Sequence, residues 1–300
     1  MRKAATGLVT VFALSFAVFT LFGCVQSFFF YPDSKFYGSP RDAGLKYEQV
    51  GFFSADHTRL TGWMIPAAGL ADPRQAKGTV IHFHGNAQNM TAHWEYAGWL
   101  ARRGFNVFVF DYRGYGMSAG SPEMLGLNAD AVAAIRYVHA RADIDAARLL
   151  IFGQSLGGNL AIAAVGRAQN AELRAGIRAV AIESTFISYS KIAGEKVRIA
   201  GAFLTDEYSA ERNIARIAPI PLLLIHGTAD EVIPFTHGVR LFALAKEPKT
   251  FITVPGGAHI EAMTPRFGNT YRDLLVKFYE DALAAPPPAL PPPVSPSTAP

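Results

Sequence analysis

The sequence predicts an α/β fold, with a mostly parallel sheet and helices on both of its faces. Three observations carry this expectation. From residue 79 onward, short runs rich in Val, Ile, Leu and Phe alternate with longer segments of helical periodicity. Most of these apolar runs stop at a polar or Gly-bearing loop, as strands buried on both faces do at a sheet edge. Finally, Leu149-Leu150-Ile151-Phe152-Gly153-Gln154-Ser155-Leu156-Gly157-Gly158 joins a strand to an Ala-rich helix through one tight turn, and the chain has no internal repeat or second core.

The turn in that stretch has the form of a nucleophile elbow, Gly-x-Ser-x-Gly between strand and helix. Ser155 is expected in a strained conformation above the sheet edge. Gly153 and Gly157 are expected where side chains would collide with the neighbouring strand and helix. The Leu156 N–H falls at a helix N-terminus, where it can donate to an oxyanion. The bland alternative is a Gly/Ser turn capping an ordinary helix.

The chain begins Met1-Arg2-Lys3, followed by an apolar run from about Leu8 to Phe22, the pattern of an export signal. The run ends Leu21-Phe22-Gly23-Cys24, which resembles the lipobox of bacterial lipoproteins. That resemblance implies cleavage after residue 23, lipidation of Cys24 and a membrane-anchored envelope protein. Phe22 departs from the pattern, and the alternative is an uncleaved signal anchor. Cys24 is the only cysteine, so no internal disulfide forms. The formal net charge of +4 comes without a Lys/Arg run, which points away from nucleic acid as a partner.

Residues 24–46 read as an aromatic, turn-rich tether packing on the edge of a domain spanning 47–283. Tyr47 to Phe53 and Leu60 to Ile65 read as two strands, joined by a turn in which His57 is exposed. Thr79 to Phe83 is a buried strand followed by His84-Gly85-Asn86-Ala87. His84 is expected to bond backbone and fix that loop, since no carboxylate or cysteine accompanies His82 and His84 to make a metal site. Ala92 to Arg103 reads as a helix, Asn106 to Phe110 as a strand and Glu123 to Ala140 as a helix. Asp111 is expected to brace the Arg113 loop. After the strand Ala179 to Glu183, residues 184–218 form either a small lid or a crossover helix with a surface loop. Leu222 to His226 and Thr250 to Val254 are the last strands, and helices follow at Phe235 to Ala245 and Pro265 to Leu283. Residues 284–300 are Pro-rich and uncharged, and read as a disordered tail.

A serine hydroxyl needs a base within hydrogen-bond reach and a carboxylate to orient that base. Asp230 and His259 each follow a strand end, and in a parallel sheet such residues converge on one edge. Glu231 is a rival acid. Among other histidines, His226 is expected to support the Asp230 loop, and His237 to lie exposed on a helix.

His84-Gly85-Asn86, Asp111-Tyr112-Arg113-Gly114-Tyr115-Gly116, Gly153-Gln154-Ser155-Leu156-Gly157, His226-Gly227-Thr228-Ala229-Asp230 and Gly257-Ala258-His259 together resemble the α/β-hydrolase superfamily. Within it they are similar to the serine-aminopeptidase-like and acyl-protein-thioesterase-like branch. The resemblance implies the α/β-hydrolase fold, with an eight-stranded, mostly parallel sheet. It also implies hydrolysis of carboxylic esters or thioesters through an acyl-enzyme on Ser155, with His259 as base and Asp230 as orienting acid. The N–H groups of Leu156 and of Asn86 or Ala87 would form the oxyanion hole, and no metal or organic cofactor is implied. A small-molecule, lipid or acylated-protein ester is the implied substrate. Peptide or amide hydrolysis on the same residues, or a non-catalytic envelope binding protein, are the rival expectations.

Overall fold

The computed structural model describes residues 30–290 apart from 197–200 and 202–203. The expected signal segment, Cys24, and residues 291–300 of the Pro-rich tail lie outside the described residues. The described residues begin with a two-residue strand, β1 (Tyr31–Pro32), then β2 (Glu48–Phe53), β3 (Arg59–Ile65) and β4 (Thr79–Phe83). A short β5 (Ala87–Gln88) precedes β6 (Asn106–Asp111), β7 (Leu149–Gln154), β8 (Ile177–Glu183), β9 (Leu222–Gly227) and β10 (Lys249–Val254).

Eight of these strands form one sheet in the order β10-β9-β8-β7-β4-β6-β3-β2. All pairs are parallel except β2 with β3 and β3 with β6. The sheet is therefore mostly parallel, as its alternation with helices requires. β4 lies between β6 and β7, so the crossover from β4 runs to one side and the next, from β6, runs back past β4 to the other. The loops there part and leave a crevice at the carboxyl edge, the usual place for a site in an open α/β sheet.

Strand side chains alternate between two cores. Ile81, Phe108, Phe110, Ile151, Val180, Ile182, Leu222 and Leu224 face one core, with the helices Met124–His139 and Leu156–Gly166 packed on that side. Val80, Val107, Val109, Leu150, Phe152, Ala179, Ala181, Leu223 and Ile225 face the other, under Trp94, Leu100 and the helix Thr270–Ala284. Burial on both faces is why these strands read as unbroken apolar runs.

Several expectations are refined. The single helix over 92–103 is instead three short pieces, Met90–His93, Glu95–Gly98 and a 3-10 turn at Trp99–Arg103. Trp94 lies so close to Gly98 that an added Cβ would sit 2.6 Å from its ring, which the tightened backbone accommodates only because residue 98 has no side chain. Residues 184–218 carry a helix at Tyr189–Lys196, a turn of helix at Ala210–Asn213 and a 3-10 turn at Ile214–Arg216. This segment docks on the helix after Ser155: Asn159 accepts the Ala210 N–H at 2.8 Å and donates to Thr185 Oγ1 and the Phe186 carbonyl. At the far end, Leu290 packs against the main core.

Residues 30–44 run as a strap across the loop after β4. Tyr31 N–H donates to the Asn86 carbonyl at 2.9 Å and Asp33 N–H to that of Gln88 at 3.2 Å, making a parallel pair of β1 with β5. Asn89 fastens the strap by donating to Asp33 Oδ1 at 2.7 Å and to the Lys35 carbonyl at 2.8 Å.

Candidate active site

Ser155 stands between β7 and the helix Leu156–Gly166 with φ 53° and ψ −120°, a conformation that a residue with a side chain seldom adopts. The two flanking glycines make it possible. A Cβ on Gly157 would lie 2.1 Å from the Phe83 carbonyl oxygen on the neighbouring strand. One on Gly153 would lie 2.8 Å from both the Gly157 carbonyl oxygen and the Gly158 Cα. The collisions expected at these positions are thus with the partner strand and the helix start.

His259 Nε2 lies 3.0 Å from Ser155 Oγ, and His259 Nδ1 lies 2.9 Å from Asp230 Oδ2. Asp230 is buried, and its other oxygen accepts the N–H groups of Val232 at 3.0 Å and Ile233 at 2.8 Å. Burial pushes this carboxyl up. Hydrogen bonds from His226 and His259, the His259 charge and the Ile233 N–H outweigh it, and hold the group well below the usual carboxylate range. An ionised Asp230 only accepts, so His259 Nδ1 carries a proton. In the neutral ring Nε2 is then bare and faces the Ser155 hydroxyl as an acceptor. Glu231, the rival acid, points to solvent.

The loops that carry the acid and the base are stitched together. Ala229 N–H donates to the Gly257 carbonyl at 2.9 Å, and Gly256 N–H to Thr228 Oγ1 at 2.8 Å. Gly227 lies so close that a Cβ there would sit 2.2 Å from the Gly257 oxygen. His226 donates from Nε2 to the Ile233 carbonyl at 2.9 Å and so supports the Asp230 turn.

Leu156 is the first residue of its helix, where backbone N–H groups lack intrahelical partners. The loop after β4 faces it. The pairing of Phe83 with Gly153 sets the two strand ends level, and a Cβ built on Gly85 would lie 3.8 Å from Ser155 Cβ. The carbonyls of Asn86 and Ala87 both point into the protein. Asn86 accepts from Tyr31 N–H and from Tyr115 Oη at 3.0 Å, and Ala87 accepts from His93 Nε2 at 3.0 Å. His84 Nδ1 donates to the Gly85 carbonyl at 2.7 Å, the loop-fixing role expected of it.

One expectation is extended and one changes. Asp111 packs against the Arg113 loop, where a Cβ on Gly116 would lie 2.1 Å from its Oδ2 and its carbonyl accepts from Ser118 Oγ at 2.8 Å. It also accepts the Met90 N–H at 2.6 Å and lies 3.5 Å from His84 Nε2, so it anchors the loop after β4 as well. Arg113 is held by Asp130, with Nη2 2.8 Å from its carboxylate, and by Asp56. His237 is buried rather than exposed: its Nδ1 accepts the Ile187 N–H at 3.1 Å, and Nε2 lies 3.0 Å from Glu195. The segment 184–196 covers that face of the helix Phe235–Leu244.

Sequence reasoning passed over a buried polar chain beneath the site. His82 Nε2 donates to Gln154 Oε1 at 3.0 Å, Gln154 Nε2 donates to Glu183 Oε2 at 2.7 Å, and Glu183 Oε1 accepts the Ala262 N–H at 2.8 Å. Burial raises the Glu183 carboxyl and lowers the His82 imidazole to about 3. A glutamate closing an apolar strand was the available signal. Among the described residues, no group of three His, Cys, Asp or Glu side chains is placed to hold a metal ion.

Residues 91–285 match the prolyl oligopeptidase family, Peptidase_S9. The chain belongs to that family. It is 47% identical over 290 residues to the uncharacterized protein YfhR of Salmonella typhimurium, covering 95% of this chain and 98% of the relative. It is 34% identical over 207 residues to the uncharacterized protein Rv2307c of Mycobacterium tuberculosis, covering 68% of this chain and 69% of the relative. Among solved structures it resembles the Pyrococcus furiosus esterase Pf2001, with a TM-score of 0.67 at 19% identity over 84% of this chain and 96% of that one. Acetyl xylan esterase 1 of Thermoanaerobacterium gives 0.62 at 18% identity over 89% and 94%. These likenesses establish the α/β-hydrolase fold, and family and fold together make the chain a hydrolase of that superfamily.

Proposed function

We propose that this hydrolase cleaves carboxylic esters or thioesters through an acyl-enzyme on Ser155. The observation that carries the reading is the unbroken path from Ser155 Oγ through both nitrogens of His259 to Asp230. In this mechanism Ser155 Oγ attacks the acyl carbonyl while its proton passes to His259 Nε2. Asp230 stabilises the imidazolium and fixes its orientation. The oxyanion is received by the N–H of Leu156 and that of Asn86 or Ala87, each worth about 3 kcal/mol in the barrier. His259 then protonates the leaving group, and water attacks the acyl-enzyme with the same base.

Peptide or amide hydrolysis on these residues is the second reading, favoured by the family match. Rates on p-nitrophenyl esters and acyl thioesters, set against peptidyl p-nitroanilides, separate the two. The test of the shared chemistry is labelling of the full chain by a fluorophosphonate. Wild type should label, Ser155→Ala should not, and His259→Ala should label far more slowly. A folded wild type that stays unlabelled rejects both readings and favours a binding protein.

Export and anchoring through a lipid on Cys24 complete the proposal, supported by Leu21-Phe22-Gly23-Cys24 after an apolar run. Incorporation of a labelled fatty acid that is lost in Cys24→Ala is the expected result. Equal incorporation in both would refute lipidation at that residue.

A further inference from the structure

Resting on that hydrolase reading, we propose that Tyr31, Phe36, Tyr37 and Met117 form a membrane-contact surface beside the site, so that the ester or thioester is drawn from a lipid bilayer. These side chains are 54%, 64%, 38% and 60% exposed. Three sit on the strap, and the fourth follows Gly116, whose N–H donates to the Asp33 carbonyl at 2.9 Å. Clustered exposed aromatic and apolar side chains mark a contact surface more than singly exposed ones do.

The surface is rigidly mounted. Tyr37 N–H donates to Thr91 Oγ1 at 3.0 Å, and Asn89 holds the Lys35 carbonyl at 2.8 Å, on either side of Phe36. An exposed cation stands beside it: Lys35 Nζ lies 4.9 Å from the Tyr37 ring centroid, whereas Asp33 turns its carboxylate to Asn89 and Tyr37. Aromatic side chains beside cationic ones suit the interface of an anionic bilayer.

Chain geometry selects a bilayer as the occupant. Cys24, the proposed lipid anchor, lies six residues before Phe30, where the strap begins. That length of chain reaches at most about 22 Å, so a membrane holding the lipid keeps the strap close to its headgroups. The strap in turn pairs, backbone to backbone, with the loop carrying Asn86 and Ala87. Contact through the strap therefore brings the oxyanion side of the site to the lipid surface.

The experiment uses the full chain reconstituted in vesicles of phosphatidylglycerol and phosphatidylethanolamine. Phe36→Trp supplies a reporter, and Leu70→Trp, in the loop before β4 at the opposite sheet edge, supplies a control. Bromine on the lipid acyl chains should quench the Phe36→Trp signal beyond the unmodified chain and leave Leu70→Trp at its level. Equal quenching of the two, or none, overturns the contact. This readout needs no turnover, so it stands or falls apart from the hydrolase reading. In a second arm, Phe36→Ser/Met117→Ser should lose about tenfold in rate on p-nitrophenyl palmitate carried in the vesicles, with p-nitrophenyl acetate in solution unchanged. Equal rates of wild type and double variant on the vesicle-borne ester overturn the bilayer as the source of substrate.

Discussion

The Glu183 carboxylate accepts the Ala262 N–H at 2.8 Å, so the strand beside Ser155 holds the loop that carries His259. The same carboxylate holds Gln154, the residue before Ser155, at 2.7 Å. One buried group thus sets the distance between nucleophile and base. Glu183→Ala strands two buried donors, which should cost about 2–4 kcal/mol of stability and leave His259 poorly placed. Glu183→Gln can be absorbed. The new carbonyl takes the Ala262 N–H, the new amide donates to a flipped Gln154, and Gln154 donates to the other tautomer of His82. We expect kcat to fall about tenfold or more in Glu183→Ala with KM little changed, and Glu183→Gln to stay near wild type. Steady-state kinetics beside urea unfolding checks this; equal loss in both variants would show that the charge itself is required.

Asp230 and Glu231 are adjacent, and their substitutions should differ sharply. Asp230→Asn presents an amide that favours the wrong His259 tautomer, and kcat should fall about 10⁴-fold. Glu231→Gln alters a solvent-exposed side chain and should change kcat less than twofold, a scale typical of surface sites. Ester hydrolysis by the two purified variants decides. A large loss in Glu231→Gln would reassign the acid.

The convergence of Ser155, Asp230 and His259 was legible because each follows a strand end and parallel strands share one carboxyl edge. The strands were legible from residue 79 because burial on both faces leaves no polar interruption. β8 is the informative exception. It begins at Ile177 rather than Ala179, since Arg178 interrupts the run; its guanidinium instead donates to the Ala282 carbonyl at 2.8 Å, at the end of the last helix. What stayed hidden depends on register and on distant chain. The chain from His82 to Glu183 needs Gln154 opposite Glu183 and His82 opposite Phe152. The burial of His237 needs the segment 184–196 folded over it. The strap needs Asn89 to find Asp33, 56 residues away.

His82 and His93 are buried, and loss of solvation, the largest cause in each, lowers both imidazoles to about 3. The unfolded chain binds protons at these residues near pH 6.5, whereas the folded chain does so only near pH 3. Stability is therefore full above pH 6.5 and falls as pH drops through that window, by about 2 kcal/mol per histidine between pH 7 and pH 5. Glu183 runs the other way. Its raised carboxyl takes a proton in the fold before the unfolded chain does, which returns some stability at lower pH. Urea unfolding at pH 7 and pH 5 should show the loss, and His82→Gln should remove about half of it. A slope unaltered by His82→Gln would mean that other groups govern acid sensitivity.

Gly157→Ala tests the elbow without touching a polar group. The added methyl would lie 2.1 Å from the carbonyl oxygen of Phe83, the last residue of β4, and 2.5 Å from that of His84, the first of the following loop. The Phe83 carbonyl cannot move without parting β4 from β7. The variant should lose more than about 4 kcal/mol and accumulate as insoluble protein. Gly69→Ala offers a matched control: it also adds one methyl but has nothing within 4 Å, and with φ +83° it carries only backbone strain. Soluble yield and thermal unfolding compare the two, and a soluble, active Gly157→Ala would show that the elbow can relax.

Asn89 is where strap, helix start and candidate oxyanion loop meet. Its Oδ1 caps the Thr91 N–H at 2.9 Å while its amide holds Asp33 and Lys35. Asn89→Ala removes both, at a cost of about 1–3 kcal/mol, and frees β1 to separate from β5. The Asn86 carbonyl then loses the firm position of its Tyr31 donor, and the neighbouring N–H groups lose their aim. Because an oxyanion donor acts in the transition state, kcat should fall by about tenfold while KM moves little. Asn89→Asp separates capping from strapping: it keeps the cap oxygen for Thr91 but sets a carboxylate against that of Asp33. It should retain most of the helix-start stability yet lose kcat as Asn89→Ala does. If Asn89→Asp matches wild type in kcat, the strap does not shape the oxyanion loop.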